Sequence, residues 1–255
     1  MCQVSVATAA PVDAGEKLWE VLDWDSRFFG RRIARLLQPR LTVRVLAMTQ
    51  AWMARSQIEC LYFRCSSAES QSIALAEQHG FDLVDIRVTL ERQSANSLGF
   101  SEANLPVVKA RPEQVAQLQA IARLSHKDSR FYQDSHFDAT RCDELYAAWI
   151  ENSCRGYADA VFASELEQSA VGYITCHLEG HAEGRIGLLA VSENARRGGV
   201  GSALVKAALE WFRARQRFHV SVVTQGRNIG SQRLYQRCGF VTSSVELWYH
   251  YWPAA

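Results

Sequence analysis

The stretch ARRGGVGSALVKAALEWF, residues 195–212, constrains the fold more than any other part of the sequence. Gly198, Gly199 and Gly201 stand where an amphipathic helical pattern begins. The apolar positions of that pattern are Val200, Leu204, Ala208 and Trp211. A helix start carries unpaired N–H groups and about half a positive charge, and glycines let an anion approach the backbone. The pattern therefore predicts a helix over 200–214 with an anion site at its N-terminal end.

The composition is that of a globular protein, since the 255 residues are 48% hydrophobic, enough for one large domain or two smaller ones. No apolar run reaches the roughly 18 residues that span a bilayer, and no positive charge precedes Lys17 to begin a signal peptide. We therefore expect a cytoplasmic protein that does not bind membranes. The seven cysteines include no Cys-x-x-Cys pair, which predicts reduced thiols. His177 and His181 have metal-like spacing, but Gly180 between them predicts a hairpin, so we expect no metal.

The charge is unevenly distributed although the net formal charge is only +1. Between residues 196 and 237 the only acidic residue is Glu210. The basic residues of this segment are Arg196, Arg197, Lys206, Arg213, Arg215, Arg217, Arg227, Arg233 and Arg237. Such a patch is typical of a protein that binds a phosphorylated cofactor or a nucleic acid, and it is also compatible with a solvated face. No recognised nucleic-acid-binding motif accompanies it.

A polar stretch rich in turn-forming residues, 95–106, predicts a linker between a smaller N-terminal α/β lobe, 1–94, and a larger domain, 107–255. The end of the first part and the end of the second both indicate strand, helix, Gly-Phe turn and strand. Gly80-Phe81 in the first part corresponds to Gly239-Phe240 in the second. The N-terminal lobe has no counterpart of the glycine-rich turn, so we interpret it as a degenerate half of the same architecture.

The sequence of the larger domain predicts a mixed α/β sheet flanked by helices. A strand and a helix opened by Pro112 are followed by a second helix that Gly156 ends. Three β-branched or apolar runs then indicate an antiparallel meander. After the helix that follows the glycines come a strand over 218–224, another helix and a last strand.

Two other phosphate-binding motifs do not fit the glycine-rich turn. A Walker A loop is excluded because no Gly-Lys-Ser/Thr follows. A dinucleotide-binding turn fits poorly because the preceding strands are predicted to be antiparallel. What is specific is the order of three features: the strand IGLLAV, then Arg196-x-x-Gly199-x-Gly201, then Asn228-x-x-Ser231-x-x-Leu234-Tyr235-x-x-x-Gly239-Phe240.

This combination, over residues 107–252, resembles the GNAT family of acetyl-CoA-dependent N-acetyltransferases. The resemblance implies a GNAT fold with acetyl-CoA as the acyl donor and with Tyr235 as the general acid that protonates the departing thiolate. It also implies backbone contacts to the pantetheine arm from Leu189, Ala190 and Val191. The residues it assigns to the pyrophosphate and the rest of the cofactor arm are Arg196, Arg197, Gly198, Gly199, Val200, Gly201, Ser202 and Asn228.

A narrower resemblance rests on LDWDSRFFGRRIARL near the start, SRFYQDSHF at 129–137 and LYAAWIENSCRG at 145–156. These stretches are similar to those of bacterial enzymes that acetylate a nucleotide-linked amino sugar such as dTDP-4-amino-4,6-dideoxygalactose. For such an acceptor, Arg130 offers charge to the diphosphate, while Phe131, Tyr132 and Trp149 offer stacking faces. Glu69 is our candidate for the general base, with a chain of waters as the competing route.

Two other functions share the cofactor motifs and stay open at this point. A protein or peptide N-acetyltransferase would need an open groove for its acceptor, and a non-catalytic acyl-CoA-binding regulator would bind the cofactor without turnover. A nucleic-acid-binding module is supported only by the basic segment. The sequence is compatible with a homodimer and leaves the oligomeric state open.

Overall fold

The computed structural model describes residues 17–93 and 105–253 of the chain. Most of the predicted linker, 95–106, lies outside these ranges. The elements before it are β1 (Trp19–Val21), α1 (Asp23–Phe29), β2 (Ile33–Leu36), α2 (Val43–Ser56), β3 (Cys60–Ser66), α3 (Ser70–Gln78) and β4 (Phe81–Gln93).

The elements after it follow the predicted order, with one short helix, α5, that the sequence pattern did not indicate. They are β5 (Val107–Lys109), α4 (Val115–Leu124), α5 (Arg130–Gln133), α6 (Ala139–Asn152), β6 (Ala160–Leu166), β7 (Ser169–Glu179), β8 (Glu183–Val191), α7 (Val200–Arg213), β9 (His219–Gln225), α8 (Ile229–Arg237) and β10 (Val241–Tyr251). Pro112 opens a 3-10 turn directly before α4, where its missing N–H needs no partner.

The described strands form one mixed sheet in the order β1-β2-β3-β10-β4-β9-β8-β7-β6-β5. The predicted fold class, a mixed α/β sheet flanked by helices, is confirmed. The meander β6-β7-β8 is antiparallel, as its sequence indicated. The sheet is continuous across both parts of the chain, because β10 lies between β3 and β4 and β4 pairs with β9.

The four central strands, β3, β10, β4 and β9, belong to two strand-helix-strand units, β3-α3-β4 and β9-α8-β10, that exchange their last strands. β10 pairs with β3 so that Glu246 faces Ser66, and β4 pairs with β9 so that Arg87 faces Gln225. Arg87 and Glu246, which are 159 residues apart, also face each other between β4 and β10 and form an ion pair at 2.5 Å. Each strand-helix-strand unit thus has its last strand paired with the first strand of the other unit.

Three clusters of buried side chains hold the helices on the sheet. The first joins α4, α5 and α6 to β6–β8, with Ile33, Cys60 and Tyr62 from the N-terminal part. The second packs α7 and α8 on β4 and β7–β9, and the third packs α2 and α3 on β2, β3 and β10. Burial of this apolar surface is the main stabilising term for the fold. The described cysteines are all free and mostly buried, as expected.

Within the described ranges, no helix has both the length and the apolar character that crossing a membrane requires.

Candidate active site

The site is built around a gap that opens between two parallel strands. β8 pairs with β9 only from Glu183 to Ile186, whose partners are His219 to Val222. Beyond Ile186, residues 187–191 of β8 have no partner on that side, although β8 stays paired with β7 as far as Val191. The two strands therefore part in the middle of the sheet and leave one edge of β8 with free backbone groups.

The hydrogen bonds of β8 show which backbone groups face this gap. The N–H of Leu188 donates to Thr175 Oγ1 at 2.7 Å and the N–H of Ser192 donates to the carbonyl of Val171 at 2.8 Å, both toward β7. Because N–H groups alternate in direction along a strand, those of Leu189 and Val191 point into the gap. The register between β7 and β8 shifts at Thr175, so its hydroxyl replaces a ladder partner at a bulge. These edge groups can hydrogen-bond an extended amide chain.

The glycine-rich turn lies where β8 leads into α7. Gly199 is the N-cap residue with φ of 86°, and no side chain caps the helix. Arg197 is also left-handed, with φ of 64°. Left-handed residues before a helix turn successive N–H groups toward one point and make a concave anion site. Arg196 donates through Nε to the carbonyl of Val191 at 3.2 Å. The first turn of α7 therefore offers free N–H groups to a phosphate.

Helix α8 contributes two side chains from the predicted motif. Asn228 caps the helix, because its Oδ1 accepts from the N–H of Ser231 at 3.0 Å, which leaves its side-chain NH₂ free to donate. Tyr235 is buried, with 4% of its surface exposed, in the cluster that also includes Val200, and Leu189 packs against that cluster. Burial raises the pKa of Tyr235, so the phenol keeps its proton at neutral pH. A protonated phenol has the chemistry of a general acid.

A cavity of about 790 Å³ lies on the other face of β8. Successive residues of a strand face opposite sides, so Leu188 faces the α6 side with the cavity and Leu189 faces the α7 side. The lining residues are Trp24, Asp25, Trp149, Asn152, Ser153, Arg155, Tyr157, His177, Arg185, Gly187 and Leu188. At the gap between β8 and β9, no paired backbone separates the α6 side of the sheet from the α7 side.

The residues predicted for the acceptor lie in different surroundings. Trp149 lines the cavity. Phe131 is fully buried in the core, and Tyr132 donates to Asp143 Oδ1 at 2.5 Å. The guanidinium of Arg130 lies over the rings of Tyr62, Phe131 and Trp248. Their contact with an acceptor stays a prediction.

Glu69, the candidate general base, precedes α3 and forms an ion pair with the exposed Arg40 at 3.1 Å. It is not among the cavity-lining residues, and its catalytic role stays a prediction.

Of the residues that line the cavity, only Trp149 was predicted as a site residue from the sequence; Trp24, Asp25 and His177 are among those that were not. In Trp24, 36% of the surface is exposed, and its ring lies 6.3 Å from that of Trp149. Asp25 is partly buried beside it, and this burial raises the pKa of its carboxyl while the charge of Arg130 opposes the rise. The motif WDSRFF, an acid between aromatic residues, was the available signal. His177, whose pKa burial lowers, gave none.

These features fit a substrate with a phosphorylated head and an amide-bearing arm. The free N–H groups at the start of α7 suit a pyrophosphate, and the β8 edge suits a pantetheine chain that hydrogen-bonds like a strand. The gap would bring an acyl group between the buried phenol of Tyr235 and the cavity. This arrangement can support transfer of an acyl group to a nucleophile held in the cavity.

A family model described as "Acetyltransferase (GNAT) family" matches residues 118–240. These residues include the gap, the glycine-rich turn and α8. Acetyltransferases of this family use acetyl-CoA as the acyl donor.

Two curated proteins are similar along nearly the whole chain. The dTDP-fucosamine acetyltransferase of Escherichia coli O6:H1 is 28% identical over 235 residues, covering 90% of this chain and 96% of that protein. The spore coat polysaccharide biosynthesis protein SpsD of Bacillus subtilis is 23% identical over 252 residues, covering 94% and 84% respectively. Among solved structures, a GCN5-related N-acetyltransferase from Sphaerobacter thermophilus superposes with a TM-score of 0.63 at 13% identity, covering 93% of this chain and 77% of the other. That similarity concerns the fold.

Proposed function

Because residues 118–240 form a GNAT acetyltransferase domain, we propose that this enzyme transfers the acetyl group of acetyl-CoA to the amino group of a nucleotide-linked amino sugar. The similarity to the dTDP-fucosamine acetyltransferase supports this acceptor class, because it extends over 90% of the chain and includes the N-terminal part. The similarity to a polysaccharide biosynthesis protein points in the same direction. We expect the reaction to take place in the cytoplasm.

The observation that carries the proposal is the composition of the cavity wall. Trp24 and Asp25 come from α1 in the N-terminal part, whereas Trp149 and Leu188 come from the acetyltransferase domain. A cavity of about 790 Å³ is large enough for a sugar ring and part of its nucleotide. The two indole rings provide stacking faces for a sugar or a base. We propose that the N-terminal part, 1–94, forms the acceptor side of the site.

Tyr235 is the proposed general acid. In the reaction the amine attacks the thioester carbonyl, a C–N bond forms, the C–S bond breaks and the sulfur leaves as a thiolate that needs a proton. The phenol of Tyr235 would supply that proton, since burial keeps it protonated. The N–H groups of Leu189 and Val191 would hold the pantetheine arm and polarise the carbonyl.

The amine also needs a base, and Asp25 is better placed than Glu69. Among the described residues that line the cavity, Asp25 is the only carboxylate. Burial raises the pKa of its carboxyl above the usual value, the direction that makes a carboxylate a stronger base. Asp25→Asn should lower kcat by about 10²-fold or more and remove the acidic limb of the pH–rate profile. A Glu69→Gln variant with the same loss would return the role to Glu69.

Acceptor screening tests the proposed function. The full-length protein is incubated with acetyl-CoA and a panel of dTDP- and UDP-linked amino sugars, and the products are identified by mass spectrometry. A gain of one acetyl group on an amino-sugar nucleotide, with no product from peptides bearing free N-termini or lysines, is the expected result. Acetylated peptides with unmodified sugars would overturn the proposed acceptor. Acetyl-CoA binding without any acetylated product would indicate a regulator.

A further inference from the structure

The structure contains a local concentration of buried polar atoms without hydrogen-bond partners. Among the described residues, eight such side-chain atoms occur, and six lie close together where β3, β4, α5 and β10 meet. They are Tyr62 Oη, Asp85 Oδ1, Ser129 Oγ, Arg130 Nε, Trp248 Nε1 and His250 Nε2. Buried polar groups are nearly always hydrogen-bonded, and those that are not point to a missing ligand or to ordered water.

Arg130 lies at the centre of this group. Its guanidinium carbon is 4.4 Å from the ring centre of Trp248 and 5.0 Å from that of Tyr62. In the part of the chain that the structure describes, Arg130 has neither an ion pair nor a hydrogen bond from its side chain. Asp25 and Asp85 act on it electrostatically, but among the described residues neither forms an ion pair with it, so the donors of this partly buried guanidinium are unsatisfied. It is therefore an open position for an anion.

The neighbouring atoms are mainly donors. Tyr62 is 2% exposed, and burial raises its pKa far enough to keep the hydroxyl protonated. Trp248 adds an indole N–H. Together with Arg130 they present three kinds of unpaired donor within one cluster of contacting rings, since Tyr62 and Trp248 are 6.4 Å apart at their centres. A set of donors around a fixed cation is suited to phosphate oxygens.

The carboxylate of Asp134, one of the acceptors of this region, is engaged elsewhere. Asp134 accepts from His250 Nδ1 at 2.6 Å and from Trp252 Nε1 at 2.9 Å, and it also contacts His136. His250 is stacked on Tyr62, and burial lowers its pKa to about 4, so its Nε2 is an acceptor at neutral pH. Asp134 is thus paired with the two histidines and not with Arg130.

We propose that Arg130, Tyr62 and Trp248 form a binding site for the diphosphate of the acceptor nucleotide. The inference rests on the proposed function, because it assigns a subsite to the same acceptor. Asp85, whose Oδ1 has no partner and which faces Trp248 across β4 and β10, can accept from a sugar hydroxyl beside the phosphates.

The site lies near the cavity. Arg130 acts electrostatically on Asp25, which lines the cavity beside Trp24. Tyr62, Trp248 and Leu188 also belong to one contiguous apolar cluster with Trp149. A nucleotide sugar bound with its phosphates at Arg130 would therefore extend its sugar toward Asp25 and the β8 edge.

Binding of dTDP tests the site without relying on turnover. The full-length protein is first saturated with coenzyme A, so that the start of α7 cannot bind the probe, and dTDP is then titrated by calorimetry. Arg130→Met should weaken dTDP binding by roughly 10- to 100-fold, as expected for a lost hydrogen bond between charged groups. Tyr62→Phe, which removes only the hydroxyl, should weaken it by about 3- to 10-fold.

The matched control is Arg215→Met, which removes a guanidinium that also lies over an indole, 4.2 Å from the ring centre of Trp211. Its dTDP affinity should equal that of the wild type. Equal dTDP affinity in Arg130→Met, Tyr62→Phe and the wild type would overturn the diphosphate site. Circular dichroism of each variant establishes folding, and if Arg130→Met does not fold, Tyr62→Phe decides alone.

Failure of the site and failure of the proposed function give different results. If the wild type acetylates a dTDP-linked amino sugar and Arg130→Met does so with unchanged KM, the diphosphate site is wrong and the proposed function stands. If no nucleotide-linked amino sugar is acetylated but dTDP still binds in an Arg130-dependent way, the anion site stands and the proposed acceptor is wrong.

Discussion

Helices α2 and α7 occupy equivalent positions in the sheet and begin in opposite ways. Both have 14 residues, and each connects two neighbouring parallel strands, β2 with β3 and β8 with β9. At the start of α2, Thr42 is extended and its hydroxyl accepts from the N–H of Val45 at 3.2 Å. At the start of α7, the left-handed Gly199 provides no side chain, and the first N–H groups have no protein cap.

We propose that this difference separates a helix with a structural role from one that binds a ligand. A capped N-terminus has satisfied its own donors, whereas an uncapped one beside a glycine turn keeps them for an anion. The parallel strand pairs that these helices connect, β2 with β3 and β8 with β9, also differ in how much backbone is left unpaired. β2 ends one residue after its last pair with β3, whereas β8 continues for residues 187–191 beyond its last pair with β9. The same topology therefore gives a binding site only where the backbone is left unpaired.

The largest expected effect comes from comparing α3 and α8, the helices that follow β3 and β9. Tyr235 in α8 and Ala76 in α3 occupy equivalent positions, because they are 159 residues apart, as are Arg87 and Glu246. Tyr235→Phe should lower kcat by about 10²- to 10⁴-fold, the usual cost of a lost general acid, while acetyl-CoA affinity stays near normal. Steady-state kinetics and calorimetry on the same preparation measure both quantities. A normal kcat would remove Tyr235 from the mechanism, and lost affinity with normal kcat would make it a packing residue.

The second prediction converts the start of α7 into one that rejects anions. Gly199→Asp places a carboxylate where we expect the pyrophosphate, and should abolish a ligand stabilisation of about 2.7 kcal/mol at a hundred times Kd. Thermal unfolding with and without acetyl-CoA measures the loss. Gly199→Asn is the control, because asparagine has the same shape without charge and tolerates a left-handed backbone. Equal loss in both variants would attribute the effect to backbone strain instead of charge.

The third prediction concerns the edge of β8. Thr175→Val removes the acceptor for the N–H of Leu188 and leaves that donor unpaired next to a fully buried residue. The free energy of unfolding should fall by about 1–3 kcal/mol, and acetyl-CoA affinity should fall because Leu189 and Val191 lose their orientation. Thr175→Ser, which keeps the hydroxyl, should restore affinity. If valine preserved full affinity, the bulge would not be what orients the edge.

The smallest expected effect is at the start of α2. Thr42→Ala removes a helix cap and should lower the free energy of unfolding by about 1 kcal/mol. Because we place no ligand there, denaturation should report this loss while the stabilisation by acetyl-CoA remains that of the wild type. A change in acetyl-CoA affinity would show that the two helix starts are coupled.

The sequence predicted the local features that depend on nearby residues. The glycine turn, the helix after it, the meander and the order of elements in the larger domain all follow from short-range patterns of glycine and apolar spacing. The elements that we propose form the acyl-donor side of the site were predictable for the same reason, since they are consecutive along the chain.

Long-range pairing was not predictable in this way. Nothing local in β10 indicates that it lies between β3 and β4, because strand partners are set by packing of the whole sheet. The position of Asp25 beside Leu188 depends on that arrangement and on how α1 meets α6. Phe131 was a reasonable stacking candidate by residue type, but it is completely buried against Phe29, which lies about a hundred residues earlier in the chain.

The strand exchange also bears on how the protein is made. β10 is synthesised after every other described strand, yet it lies in the middle of the sheet between β3 and β4. Until it emerges from the ribosome, those two strands expose facing edges with unpaired backbone groups, which are open to pairing with other chains. The sheet can close only when a segment late in translation joins partners made much earlier, so folding of the N-terminal part waits for the rest of the chain.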